Sequence, residues 1–352
     1  MTSTAADGSD VHEVSPGASS GAIGTGASAA PTGDAPTGIA PTGDAPASDA
    51  LTSDEPTTDE PTTDEGPPTW SLSPSRAADF MACPLLYRFR TIDRLPERPS
   101  AVATRGTVVH AVLERLFDLP PVERTVERAR ALIDPVWQDL LEAEPDVAEL
   151  FVDDEDGSAL HDWLASGADL LDRYFALEDP ARLDPEAREL YVETTLESGL
   201  RLRGYVDRLD RAPVSGDVRV VDYKTGRAPG EGFESRAMFQ MRFYALVLWR
   251  QTGQVPKLLQ LMYLGSGEIL RYEPDEDDLR ATERKVAALW NAIERAMTKG
   301  DWRASPSRLC DWCDHKPVCP AWGGTPPPLP EVAGPTNGTD EAPSPRTSPV
   351  DA

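Results

Sequence analysis

The sequence predicts an α/β sandwich, with helices leading into a meandering sheet and a helix, a strand and a long helix after it. Three observations carry this. Apolar residues recur at helical spacing through most of 70–177. The segments 189–195, 200–209 and 218–224 are rich in Val, Leu, Tyr and Thr, as half-buried strands are. Helical spacing then returns over 235–250 and 277–299, on either side of a further strand at 258–264.

Taken in order, Ser73 followed by Pro74 reads as the N-cap and first turn of an opening helix, with Leu72, Ala77, Phe80 and Met81 as its apolar stripe. Cys83-Pro84 ends it, and a second helix is expected over 85–92. Gly106 opens a third, over 107–117, which turns Val109, Val112, Leu113 and Leu116 toward a core. Residues 122–177 read as helical, broken by an acidic turn at 153–157. The stretch Ala212-Pro-Val-Ser-Gly-Asp favours a turn, so the strands on either side of it form an antiparallel hairpin.

Composition sets the limits of this unit. Residues 1–69 contain no Lys or Arg and twelve Asp or Glu, in near-repeats of Pro, Thr and Ala. They have too little apolar surface to offset ordering entropy, so a disordered tail is expected there, and a second at 323–352. One domain, 70–322, lies between them. Of the net charge of −26, about −11 belongs to that domain. A nucleic-acid partner would therefore meet a local basic stripe rather than a basic surface. The N-terminus has neither the basic nor the apolar region of a secretory signal, and the run 243–249 is too short to span a bilayer. A cytoplasmic protein with no membrane partner is expected, and in that compartment four cysteines point to metal or redox chemistry before disulfides.

The chemistry-bearing residues fall on the strands and the third helix. Asp222 and Lys224, two apart, share a strand face while Tyr223 points away. On the paired strand, Asp207 shares a face with Tyr205 and Leu209, opposite Gly204 and Val206. A carboxylate pair across a hairpin suits a divalent cation, and the ammonium suits an attacking water or the charge that develops on a phosphate. His110 sits on an otherwise apolar helix, with Gly106 one turn before it and Glu114 one turn after. Gln240 and Tyr244, four apart, share a helix face. The bland reading of these groups is a salt-bridged hairpin, a core histidine and ordinary packing.

Cys310, Cys313 and Cys319 form Cys-x2-Cys-x5-Cys, and Cys83 stands far upstream. Four thiolates suit a tetrahedral zinc or a [4Fe–4S] cluster. Zinc held by Cys310, Cys313, His315 and Cys319 fits the spacing equally well.

In combination, Gly106-x3-His110, Gly204-x2-Asp207-Arg208, Val221-Asp-Tyr-Lys-Thr-Gly226 and Gln240-x3-Tyr244 resemble the RecB-like branch of the PD-(D/E)XK nuclease superfamily. The opening Leu72-Ser-x-Ser-x5-Phe80-x2-Cys83-Pro84 is similar to its AddB-type and CRISPR-adaptation-type members. The resemblance implies a restriction-endonuclease-like core with a helical insertion between His110 and the first strand, which would shape a tunnel for a strand. It implies Mg²⁺ or Mn²⁺ held by His110, Asp207, Asp222 and the carbonyl of Tyr223. Lys224 would be the catalytic lysine, supported by Gln240 and Tyr244. It also implies a [4Fe–4S] cluster on Cys83, Cys310, Cys313 and Cys319, clasping the first helix to the C-terminal segment.

The expected activity is that of a DNA exonuclease on single strands or frayed ends, in repair or recombination. Arg203, Arg208, Arg227, Arg236 and Arg242 are candidates for phosphate contacts. No Gly-x4-Gly-Lys-Ser/Thr is present, so unwinding would fall to a separate helicase. A non-catalytic DNA-binding scaffold subunit and an RNA-processing nuclease of the same fold are the competing readings.

Overall fold

The computed structural model describes residues 71–230 and 234–330. The tail expected at 1–69 and most of that at 323–352 lie outside them. Within the described part, the chain past residue 323 still touches the body, since Arg88 donates to the carbonyl of Pro327.

The opening strand β1 (Ser71–Leu72) leads into α1 (Pro74–Ala82), capped by Ser73, whose hydroxyl accepts from Arg76 N. A short α2 (Pro84–Tyr87) runs on as a π-turn to Ile92. The third helix, α3 (Ala101–Leu116), begins earlier than the sequence suggested, because Ser100 caps it. Gly106 thus lies inside the helix rather than at its start. It faces the turn after β4, where a Cβ would make an ordinary contact of 3.5 Å with Thr225 Oγ1. The insertion comprises α4 (Val126–Ala131), α5 (Ile133–Ala143) and α6 (Ser158–Leu177).

The strands β2 (Ala187–Thr195), β3 (Arg201–Arg211) and β4 (Val218–Lys224) then form an antiparallel meander. After it α7 (Glu234–Thr252) crosses over to β5 (Leu258–Tyr263), parallel to β4. An edge strand β6 (Glu268–Tyr272) and the long α8 (Glu276–Lys299) complete the core. The last is fixed at its start by a capping box between Asp275 and Asp278 and stopped by Gly300 at φ 64°.

The result is a mixed six-stranded sheet flanked by helices, the α/β architecture expected from the sequence. Alternation along β4 and β5 divides its two faces. Val218, Val220, Leu259 and Leu261 bury against α1, α2, α7 and α8. Val221, Tyr223, Met262 and Leu264 bury against α3, α4, α5 and α6. No helix among the described residues is long and apolar enough to cross a membrane.

The topology opens the sheet at one point. β2 follows one edge of β3 along its length, so β1 and β4 must share the other. β1 pairs at Arg201 and Leu202, and β4 from Arg208 to Arg211. Among the described residues, 203–207 between them have no strand partner on that edge.

Candidate active site

Asp207 stands at the mouth of this fork. Its Oδ2 accepts from the backbone N–H of Tyr223 at 2.7 Å, so a side chain takes the place of the next ladder bond. The strand is irregular here. Val206 and Leu209, three apart, are buried in the same core cluster, so alternation breaks between them, and Asp207 does not simply follow the face of Tyr205 and Leu209. Opposite, Arg188 pairs with Arg208 and Leu190 with Val206, which sets Glu189 across from Asp207. Glu189 has φ 42°, a left-handed conformation that costs a non-glycine residue energy and turns its side chain out of the ladder.

His110, Glu189 and Asp207 come together at this point. One ligand atom from each lies within 4.8 Å of the others. His110 Nε2 lies 2.9 Å from the carbonyl of Tyr223 and must carry its proton to bond there. Nδ1 is then an acceptor, and it faces Asp207 Oδ2 at 3.3 Å. Two acceptors so placed repel unless a proton or a cation lies between them. Electrostatics agree. Burial, then the charge of Asp222, push the Asp207 carboxyl well above the usual range. Burial, then Glu114 and Asp222, raise Glu189 to about 7. Burial lowers the His110 pKa, favouring the neutral imidazole that binds metals. Clustered, desolvated carboxyls beside a neutral imidazole are a donor set for a divalent cation. Of the four ligands expected from the sequence, His110 and Asp207 are in this group. Asp222 lies close enough to act on their charge, and the Tyr223 carbonyl is taken up by His110.

A second group forms on the α7 side of the sheet. Lys224 Nζ lies 2.5 Å from Asp222 Oδ2 and donates to Gln240 Oε1 at 2.9 Å. The amide of Gln240 donates to Asp222 Oδ1 at 2.8 Å and to Tyr244 Oη at 3.1 Å. Burial works against the Lys224 charge, but Asp222 outweighs it and holds the ammonium pKa above its ordinary value. One side chain of α7 thus orients both members of the Asp-x-Lys pair, and all five residues expected to be catalytic occupy one site.

Glu189 was not singled out from the sequence. Its only signal is an acid on the strand before the hairpin, and what brings it to Asp207 is the non-local register of β2 on β3. Arg208 corrects an expectation. It is fully buried and bonded to Glu178 at 2.6 and 2.9 Å, to Tyr223 Oη at 2.6 Å and to Asp210, so it ties β3 to the end of α6 and is not a phosphate contact. Arg242 lies over the ring of Tyr272, 4.3 Å from its centroid. The side chain of Arg236 lies outside the described residues. Arg203 and Arg227 retain exposure.

The four cysteines, all unpaired by disulfides, line one cavity of about 60 Å³ with Leu85, Phe89 and Trp322. No three of the thiols come within 4.8 Å of one another. Backbone N–H groups of Ser305 and Ser307 donate to the sulfurs of Cys83 and Cys310. Around the cavity, Tyr87 stacks on Trp302 (5.9 Å, 16°) and Leu85 N donates to Arg303 O, so α2 is held to the segment after α8. His315, the alternative zinc ligand, does not line the cavity. It is buried against Phe89 with Nε2 2.8 Å from Glu97. The set Cys310, Cys313, His315 and Cys319 is therefore not assembled.

Residues 71–320 match the family model described as the PD-(D/E)XK nuclease superfamily. Among curated proteins, the chain is similar to the Gene 69 protein of Mycobacterium phage D29, 24% identical over 275 residues, covering 71% of this chain and 96% of that one. The Gene 69 protein of Mycobacterium phage L5 is 25% identical over 288 residues, with the same coverage. Among solved structures, a candidate exonuclease from Eubacterium rectale aligns with a TM-score of 0.47 and 14% identity, over 70% of this chain and 87% of that chain.

Proposed function

The chain belongs to the PD-(D/E)XK nuclease superfamily, and from that premise we propose that it is a metal-dependent DNA exonuclease of the RecB-like branch. Its substrates are single strands or frayed ends, in repair or recombination in the cytoplasm, with a separate helicase supplying the strand. The observation that carries this reading is the Gln240 bridge, which holds Lys224 and Asp222 beside the cluster of His110, Glu189 and Asp207. A scaffold subunit would have no need of a desolvated lysine fixed on a carboxylate.

In this reading His110, Glu189 and Asp207, with Asp222 beside them, hold Mg²⁺ or Mn²⁺. The bound cation supplies Lewis acidity toward the scissile phosphate and favours hydroxide over water. Lys224, whose charged form is favoured by Asp222, donates hydrogen bonds. It orients the attacking water and balances charge on the phosphate oxygens. Gln240 accepts from Lys224 through its oxygen and donates to Asp222 through its nitrogen, which fixes the ammonium direction. Tyr244 backs the Gln240 amide.

The four cysteines hold a [4Fe–4S] cluster with a structural role. Tetrahedral zinc at about 2.3 Å from each sulfur would place thiolates about 3.8 Å apart. The wider spread of these thiols, around a cavity several times the volume a single water needs, suits a larger group.

The test is degradation of end-labelled single-stranded and duplex DNA by anaerobically purified protein with Mn²⁺, Mg²⁺ or EDTA, beside Asp222→Ala. The expected result is metal-dependent loss of single strands from one end, absent in the variant. Metal-replete, folded protein that leaves every substrate intact would favour the scaffold. Internal cuts would overturn the exonuclease assignment.

A further inference from the structure

We propose that Tyr191 and Tyr205 form a stacking platform that seats the bases of single-stranded DNA next to the cleavage site. The inference rests on the nuclease reading and adds a binding surface to it. The two tyrosines are direct partners in the β2–β3 ladder, with ring centroids 5.3 Å apart and planes tilted by 56°. They remain 44% and 56% exposed, the most exposed aromatic residues on the sheet among the described residues.

Their position is what distinguishes them from an ordinary cross-strand pair. Tyr205 is two residues before Asp207, and Tyr191 two after Glu189, so along the backbone about 7 Å separates each tyrosine from its neighbour in the carboxylate cluster. That is close to the spacing of successive nucleotides along a strand. The opposite side of the same ladder is closed, since Val192 is buried there and Gly204 lies against Tyr244 and Pro74. The tyrosines therefore face away from α7, and His110 reaches the site from α3. A strand lying on the rings would enter between them and the α3 side, with its phosphates directed at the fork.

Charge on this surface is mixed but usable. Tyr191 Oη donates to Glu193, and Glu193 is met by Arg201 at 3.6 Å and by Arg203, its ladder partner. Arg203 and Tyr205, two apart on β3, present a guanidinium and a ring to the same side. An aromatic face beside a phosphate-binding cation is the pairing that non-specific single-strand sites use, and every base offers a face to stack. A duplex keeps its base faces internal, so the platform favours single strands.

The test is equilibrium binding, in EDTA to block cleavage, of a short fluorescent oligo-dT and an abasic oligonucleotide of equal length. Wild type, the double variant Tyr191→Ala/Tyr205→Ala and the double variant Tyr191→Phe/Tyr205→Phe are compared. The alanine protein is expected to lose roughly tenfold or more in affinity for oligo-dT, the loss expected on removing a stacked base. Its affinity for the abasic strand, held by phosphate contacts, is expected to change by less than about twofold. The phenylalanine protein is expected to bind oligo-dT like wild type.

Unchanged oligo-dT binding by the alanine protein overturns the platform, as does an equal loss on both strands. Tighter binding of oligo-U than of oligo-dT overturns its assignment to DNA. If wild type cleaves DNA while the alanine protein binds it undiminished, the platform alone fails. If wild type neither binds nor cleaves DNA, the nuclease reading fails with it.

Discussion

Gly204 and Tyr244 meet so closely that a Cβ on the glycine would lie 2.7 Å from Cε1 of the tyrosine ring. The absent side chain on β3 is what lets the tyrosine of α7 reach the strand and support Gln240. Pro74 Cδ would stand 3.4 Å from the same added Cβ, so the methyl meets a second neighbour as well. Gly204→Ala is expected to displace Tyr244, with a stability loss of about 1–3 kcal/mol from overpacking. Nuclease activity should fall by up to about 100-fold, as a small misplacement near the reacting groups does. Adding Tyr244→Ala should recover part of the stability but not the activity, which melting curves and rates on one protein series can check.

The Gln240 bridge separates two kinds of loss. Lys224→Met should lower kcat by about 10²–10⁴-fold with little change in DNA affinity, because the lysine acts on the transition state. Gln240→Leu leaves both charges present but undirected, and should cost about 10–100-fold. Single-turnover cleavage beside DNA binding in EDTA tests both. Gln240→Leu at full rate would remove the positioning role.

Glu189 gives the site a pH dependence. Its folded pKa of about 7 lies above the ordinary 4.5, so between these values the folded chain binds more protons than the unfolded one. Metal-free stability contributed by this group is therefore present at low pH and lost as pH rises through that window. A cation favours the carboxylate and removes the loss. The rise in Tm on adding Mg²⁺ should be larger at about pH 8 than at about pH 5.5, and Glu189→Gln should flatten that difference. Mn²⁺ affinity of Glu189→Gln, measured by calorimetry, should fall by about tenfold or more.

Arg208 belongs to stability rather than to DNA. Removing it leaves Glu178 and Asp210 with only the more exposed Arg219 between them, so Arg208→Ala should cost up to about 3–5 kcal/mol in denaturant unfolding. Arg203→Ala, at a half-buried position on β3, should instead weaken DNA binding and reduce its salt dependence, with a smaller effect on unfolding.

Cys83→Ala should lower iron content and melting temperature together, since a clasp across more than 200 residues restricts the unfolded chain by roughly 4–5 kcal/mol in the loop-entropy account. His315→Ala should retain the iron, because its ring points at Glu97 and not into the thiol cavity. A Cys83→Ala protein with full iron would dismiss the cluster assignment.

The strongly patterned elements were legible in the sequence. The β3–β4 hairpin, α7 and α8 lie within a few residues of their expected bounds, because turn chemistry and apolar spacing act locally. The two short strands were not. β1 has two residues, and β6 is an edge strand with little buried surface to impose an alternation. In the site, Asp207, Asp222, Lys224 and His110 carried a pattern that could be read in order. Glu189 was not singled out and Arg208, though part of a motif, was given the wrong role, since each depends on a partner from another element: Asp207 across the ladder for one, Glu178 from the end of α6 for the other. His315 shows the converse. Its spacing fits a ligand, and only packing against Phe89 and Glu97 turns it away.

The thiol cavity has a consequence for the order in which the molecule is made. Every group of the proposed active site lies between His110 and Tyr244, whereas three of the four cysteines come after residue 309. During synthesis the ribosome delivers the whole catalytic set while Cys83 still waits for its partners. A chain cut short before Cys310 would carry every residue of the proposed active site and the Trp302 and Arg303 contacts, but only one of the four thiols.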